Sequence, residues 1–198
     1  MAHIIIQTSL VGALGFVGAL VLWVAAPTPV APQLQAGSNK IAFPERYAEG
    51  VMYTTVDHPA SSRSATMGLE DAAQYRKYYA PAGAIKALRK GEPIPSGSVL
   101  TMVKYRAKLD ARGSPIKHEN GRFVKGDLMG FSVMEKRTGW GAEYPPEIRT
   151  GEWEFREFTA DRKPNDNVNL AACFQCHRSQ AKTDFLFTFN SIKAVFAR

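Results

Sequence analysis

SVLTMVKYRAKL, running from Ser98 to Leu109, is the stretch on which the fold turns. Its β-branched and aromatic residues suit a pleated strand, and side chains of a strand alternate between two faces. Val99, Val103, Tyr105, Ala107 and Leu109 therefore share one face, and Leu100, Met102, Lys104, Arg106 and Lys108 the other. The second face opens apolar and closes basic, so its first half is expected over something buried and its second half in water. Upstream, EGVMYTTV (Glu49 to Val56) and QYRKYYA (Gln74 to Ala80) read as strands, and Ala82 to Lys90 reads as a short helix ended by Gly91. Downstream, Phe123 to Lys136, interrupted by Gly126 and Gly130, and GEWEFREF (Gly151 to Phe158) read as two more. Consecutive strands with polar connections such as Asp110 to Arg122 predict an antiparallel sheet. The expected fold class is mainly β within α+β: one sheet-rich domain with a few short helices.

The whole chain has 198 residues, 25 Lys plus Arg against 18 Asp plus Glu, a net charge of +7 and a 45% hydrophobic fraction. That balance excludes a disordered tail, a collagen-like fibre and a polytopic membrane protein. No charged residue precedes Lys40. Ile4 to Ala26 (IIIQTSLVGALGFVGALVLWVAA) is apolar enough, at about 1.5 Å per helical residue, to cross a hydrocarbon core of roughly 30 Å. Residues 1–26 are therefore expected to form one signal or transmembrane helix. The missing basic n-region and the length of the apolar stretch favour an uncleaved anchor. Proline-rich residues 27–40 follow as a flexible tether, leaving 41–198 as the domain.

The two cysteines, Cys173 and Cys176, stand with His177 in Cys-Phe-Gln-Cys-His, the arrangement that attaches haem covalently in c-type cytochromes. Two thiols at this spacing meet the two vinyl groups on one porphyrin edge, and the following histidine comes under the iron as proximal ligand. A thiol redox pair would need no such histidine, and a zinc site would need His58 or His118 folded onto the pair. In bacteria, c-type haem is fitted outside the cytoplasmic membrane, which agrees with an apolar leader. No methionine follows His177, so any sixth ligand must come from upstream. The strand-rich body argues against a four-helix haem bundle.

Tyr47 with the strand after it, Arg76 and Tyr79 in YRKYY, Gly97-Ser98-Val99, Gly126-Asp127 with Gly130, Trp153 in GEWEF, and Cys173 to His177 followed by Ala181 to Asp184 and Phe187 occur in an order that resembles the cytochrome P-460 family. The family includes the β-type cytochromes c prime, and the resemblance covers about Phe43 to Phe187. It implies a small exported β-rich protein with a single haem c, held by two thioethers near the C-terminus. In the hydroxylamine-oxidising members a strand lysine is bonded to the haem edge and a carboxylate relays protons. In the β-type cytochromes c prime the link is missing, apolar side chains cap the iron, and nitric oxide binds.

Counting without gaps from Gly97 puts the family's lysine position at Met102, and counting from Gly126 puts its carboxylate position at Ser132. Lys104 lies two residues beyond Met102 on the same face, so a register slip of two would bring it to the haem. Glu135 falls on the opposite face from Ser132 unless a bulge near Gly130 intervenes. Met102 is an iron ligand, a pocket wall or core filling, and Lys104 is otherwise the first of the solvated basic residues. Arg76 matches a distal-pocket arginine that would hydrogen-bond a nitrogen oxide; its alternative is a salt bridge to a neighbouring strand. The resemblance thus implies Arg76 and Lys104 as catalytic candidates, Cys173, Cys176, His177, Met102 and Ser132 around the cofactor, and His177 on the iron.

The expected function is a membrane-tethered periplasmic mono-haem cytochrome that binds or redox-processes nitric oxide or hydroxylamine. The alternative is a six-coordinate electron-transfer or accessory haem subunit of a membrane complex. Seven basic and two acidic residues lie between Lys104 and Lys125, a docking patch for an acidic redox partner or anionic lipid, or else a solvated hairpin. The membrane and a second copy of the chain complete the expected partners, and nucleic acid is disfavoured by export. His58 and His118 read as surface histidines, and Trp140 and Trp153 as core or pocket lining.

Overall fold

The computed structural model describes residues 40–61 and 69–195. Five strands, β1 (Val51–His58), β2 (Gln74–Ala80), β3 (Ser98–Ala107), β4 (Lys125–Lys136) and β5 (Trp153–Thr159), form one sheet in chain order, every neighbouring pair antiparallel. The helices are α1 (Ala82–Arg89), α2 (Leu170–Arg178) and α3 (Phe189–Lys193). The expected sheet-rich antiparallel class is what the chain adopts. The anchor or signal helix of 1–26, and the tether of 27–40 apart from Lys40, lie outside the described residues. No helix among the described residues is long and apolar enough to cross a membrane.

Both faces of the sheet are covered. One packs against α1, α2 and α3, where Ile85 and Leu88 of α1, Phe174 of α2 and Ile192 of α3 join Leu100, Trp153 and Phe155 in a single buried cluster. The other is closed by the chain entering the domain: Ile41, Phe43 and Tyr47 pack on Val103, Phe131, Val133 and Phe158, with Trp140 at the margin. Phe43 meets Phe131 and Phe158 edge-on at centroid distances of 4.8 and 5.3 Å, the geometry aromatic quadrupoles favour.

Cross-strand register decides which residues share the helix-covered face. Tyr78, Met102, Ser132 and Glu157 form one row across β2 to β5. Leu100, Met134 and Phe155 form the next, and Arg76, Lys104 and Gly130 the one after. The register shifts between Lys104 and Tyr105, where β4 passes from Gly130 to Leu128. Gly130 has φ +148°, and a Cβ there would lie 2.4 Å from the Phe158 carbonyl oxygen, so only glycine fits this irregularity.

Two expectations about β3 are corrected. The strand ends at Ala107, and Leu109 is exposed, bridged to Pro115 in the polar arm that follows. Lys104 does not begin a solvated stretch; it is only 6% exposed. The basic side of β3 turns into water after Lys104, because β5 and α2 still cover the sheet at that level.

Candidate functional site

Helix α2 starts at Asn169, whose side chain accepts a hydrogen bond from the Ala171 backbone N–H at 3.1 Å and caps the first turn. Cys173, Cys176 and His177 stand at i, i+3 and i+4, so all three lie on one side of the helix. Phe174 anchors the helix to the sheet: fully buried, its ring lies 4.8 Å from those of Phe155 and Tyr144. Truncating such a ring to alanine typically costs about 3–5 kcal/mol, so the position of α2 is firmly held.

His177 is oriented from three sides. Its Nδ1 lies 2.7 Å from the Phe185 carbonyl oxygen, and its ring packs between Phe155 and Phe187 at 4.7 and 5.1 Å. A carbonyl only accepts, so Nδ1 carries the hydrogen and Nε2 is left with its lone pair. Metal-binding histidines are held in this way. Burial lowers the imidazole's proton affinity, and the bond to Phe185 partly opposes this. The supporting turn is itself strained: Asp184 and Phe185 sit at φ 50° and 62°, left-handed for non-glycine residues. It is fastened by Asp184, which accepts from Lys136 Nζ at 2.9 Å and from Trp153 Nε1 at 3.2 Å.

A cavity of about 510 Å³ lies between this helix and the sheet, within the roughly 300–1,000 Å³ of cofactor pockets. Cys173, Cys176 and His177 line one side of it. Arg76 and Tyr78 from β2, Leu100, Met102 and Lys104 from β3, Ser132 and Met134 from β4, and Phe155 and Glu157 from β5 line the other. All of the proposed site residues thus border one space. No register slip is needed for Lys104, because Met102 and Lys104 both face the cavity.

The polar groups of this wall are few and placed in an apolar setting. Lys104 Nζ is ion-paired with Glu157 Oε2, and both side chains are less than a tenth exposed. Gly130, opposite Lys104, has no side chain, which leaves the lysine room to reach diagonally to β5. Arg76 stands directly across from Lys104, so Glu157 also relieves a like-charge pair. The Nε of Arg76 donates to Gln74 Oε1 at 2.8 Å, and among the described residues it forms no salt bridge to a neighbouring strand. Among the described residues the buried Ser132 hydroxyl has no hydrogen-bond partner.

Other residues fall elsewhere than the sequence led us to expect. Glu135 stays on the far face, between Val99 and Glu154 in the register and ion-paired with Arg137; the irregularity at Gly130 lies before Ser132 and leaves alternation intact between positions 132 and 135. His58, read as a surface histidine, borders the cavity; burial, then the charge of Arg76, lower its proton affinity. His118 sits in the polar arm beside a different cleft. Glu157 was not singled out from sequence at all. Its signal was the alternation of GEWEFREF, which puts one carboxylate on the face that carries Trp153 and Phe155.

The donor set suits a covalently attached haem better than its rivals. Both cysteines are free thiols. Cys173 is pushed up to about 12 by burial, with Glu157 adding to the effect and Lys104 opposing it, whereas a redox-active pair needs a stabilised thiolate. Among the described residues no three His, Cys, Asp or Glu side chains converge as a metal site. An apolar cavity with two thiols and a histidine of fixed tautomer on one wall fits a porphyrin. The family model described as Cytochrome P460 matches residues 44–188. No curated protein matches the chain.

Proposed function

The chain belongs to the cytochrome P460 family of c-type haem proteins related to the oxidation of nitrogen compounds such as hydroxylamine, and from that premise we propose a mono-haem cytochrome whose pocket binds or redox-processes nitric oxide or hydroxylamine. The observation that carries this reading is the division of one cavity into two walls. Cys173, Cys176 and His177 lie on one, and Arg76 with the Lys104–Glu157 pair on the other.

Cys173 and Cys176 would hold the haem through two thioethers, and His177 Nε2 would ligate its iron. When bound, the group supplies an iron that changes oxidation state and takes small nitrogen ligands. The residues opposite set what such a ligand meets. Arg76, with Nε engaged by Gln74 and a further hydrogen bond to Tyr78, would present its charged guanidinium to an electronegative atom in the cavity. Met102 and Leu100 exclude water. The ion pair with Glu157 would hold the Lys104 side chain toward β5, and attachment would be through the two thioethers alone. The chain would be tethered at the periplasmic face of the membrane by residues 1–26, a reading supported by their apolar sequence and by the site of c-type haem attachment.

A second reading, an electron-transfer subunit with both axial positions filled, is favoured by Met102, whose side chain faces the same cavity. Spectroscopy of the protein matured in a host that attaches c-type haem separates the two. The first reading predicts a high-spin ferric spectrum, saturable binding of nitric oxide, and a peptide containing Lys104 of unmodified mass. Sharp low-spin bands that a Met102→Ala variant abolishes would establish the second. A haem-linked Lys104 peptide would overturn the unlinked attachment.

A further inference from the structure

A second recess lies on the sheet face turned away from the haem cavity, and we infer that it is a docking site for an acidic, extended segment of a partner protein. It has a volume of about 940 Å³ and is bordered by Lys77, Lys117, Lys125, Tyr75 and Phe123, with Glu119 as the one carboxylate among its lining residues. Arg76 and Lys77 are consecutive on β2, so alternation sends one to the haem cavity and the other here. The proposal does not rest on the haem reading.

The recess is built and held open by the arm of residues 108–124. Arg122 clasps Asp57 of β1 with two nitrogens, at 2.9 and 3.2 Å, and the Phe123 N–H donates to the same carboxylate at 3.0 Å. The arm is further closed on itself by the bridges Leu109 to Pro115 and Lys117 to Phe123. Arg122 is thereby neutralised. Lys77, Lys117 and Lys125 are not: among the described residues none has a carboxylate partner. Their ammonium groups lie over aromatic rings instead, Lys125 4.6 Å and Lys77 6.0 Å from the Tyr105 centroid, and Lys117 5.9 Å from that of Phe123. Such contacts orient an ammonium without neutralising its charge.

Three lysines without an ion-pair partner among the described residues outnumber the single carboxylate of Glu119 around the recess, and so favour carboxylates by charge complementarity and accelerate encounter with an acidic partner. The shape selects among acidic partners. A flat lipid surface meets protruding groups, whereas a recess with Tyr75 and Phe123 in its lining admits an inserted strand or loop. In an extended chain alternate side chains fall on one side about 6.6–6.8 Å apart, which lets consecutive acidic residues reach separate lysines. Docking here leaves the mouth of the haem cavity uncovered, since the two lie on opposite faces.

The test uses the full-length haem-loaded protein and an octaglutamate peptide, with binding measured by calorimetry at low and at moderate salt. A Lys77→Gln, Lys117→Gln, Lys125→Gln variant is compared with a control of equal charge change on α1 and the residue that caps it, Lys86→Gln, Arg89→Gln, Lys90→Gln, all of them exposed. We expect at least tenfold weaker binding in the first, under twofold in the second, and a steep loss with salt in the wild type. The inference is overturned if both variants lose equally, or if the wild type does not bind the peptide at low salt. It is likewise overturned if millimolar phosphate or phosphatidylglycerol vesicles displace the peptide from the wild type.

Discussion

Lys104 and Lys77 belong to neighbouring strands of one sheet and live in opposite circumstances. Lys104 is sealed beneath α2 against Glu157, both side chains less than a tenth exposed. Lys77, with Lys117 and Lys125, borders an open recess on the other face and rests on an aromatic ring, with no carboxylate ion-paired to it among the described residues. The same ammonium group serves two purposes by its surroundings. Where water is excluded, a charge is tolerated only with its counter-charge, and the pair becomes a fixed feature of the pocket. Where water is present, an unpaired cation costs little and remains available to a partner.

The largest effect that could break this contrast comes from removing one member of the sealed pair. Glu157→Ala leaves Lys104 buried and uncompensated beside Arg76, and should destabilise the domain by about 3–5 kcal/mol in urea unfolding. Replacing both partners, Lys104→Met with Glu157→Leu, should restore most of that loss. If Glu157→Ala proved as stable as the wild type, the pair would not be sealed.

A smaller effect probes the charge that remains in the cavity. His58 should titrate below its ordinary value near 6.5, because burial first, and the Arg76 charge second, disfavour the imidazolium. The sign follows from proton linkage. The unfolded chain then holds more protons than the folded one, so the contribution of His58 to stability is present above its ordinary value and is lost as pH falls below it. Proton NMR of the His58 ring should show its midpoint rising in an Arg76→Gln variant. An unchanged midpoint would mean that the guanidinium does not act on it.

The smallest effect sharpens the contrast from the open side. Lys77→Gln should change unfolding stability by no more than about 0.5 kcal/mol, as expected of a solvent-facing substitution away from buried networks. A loss comparable to that of Glu157→Ala would show that this lysine too is structural.

Much of this arrangement was legible in the chain itself. The strand from Ser98, the strand from Gln74 and the helix before Gly91 were readable because alternation and a glycine stop are local signals. Cys173, Cys176 and His177 were readable because a covalent attachment demands fixed spacing. The environment of Lys104 was not. Its neighbours Arg106 and Lys108 made it look like the start of a solvated face, and what buries it comes from β5 and α2, more than fifty residues later in the chain. Glu157 escaped notice for the same reason: a lone acidic residue in a strand acquires meaning only from the partner across the sheet. His58 reads as a surface histidine because a histidine beside a proline suggests a turn; it is half-buried, and the cavity it borders is completed by other strands.

The sequence by itself determined an antiparallel β-rich domain, family membership and the helix turn that presents two thiols and an imidazole, since each depends on residues close together in the chain. Only the tertiary structure decided which polar groups face that turn, which carboxylate neutralises Lys104 and which lysines are left unpaired on the far face. Those outcomes depend on cross-strand register and on what covers each face, and burial sets the free energy of a charge far more strongly than its identity does.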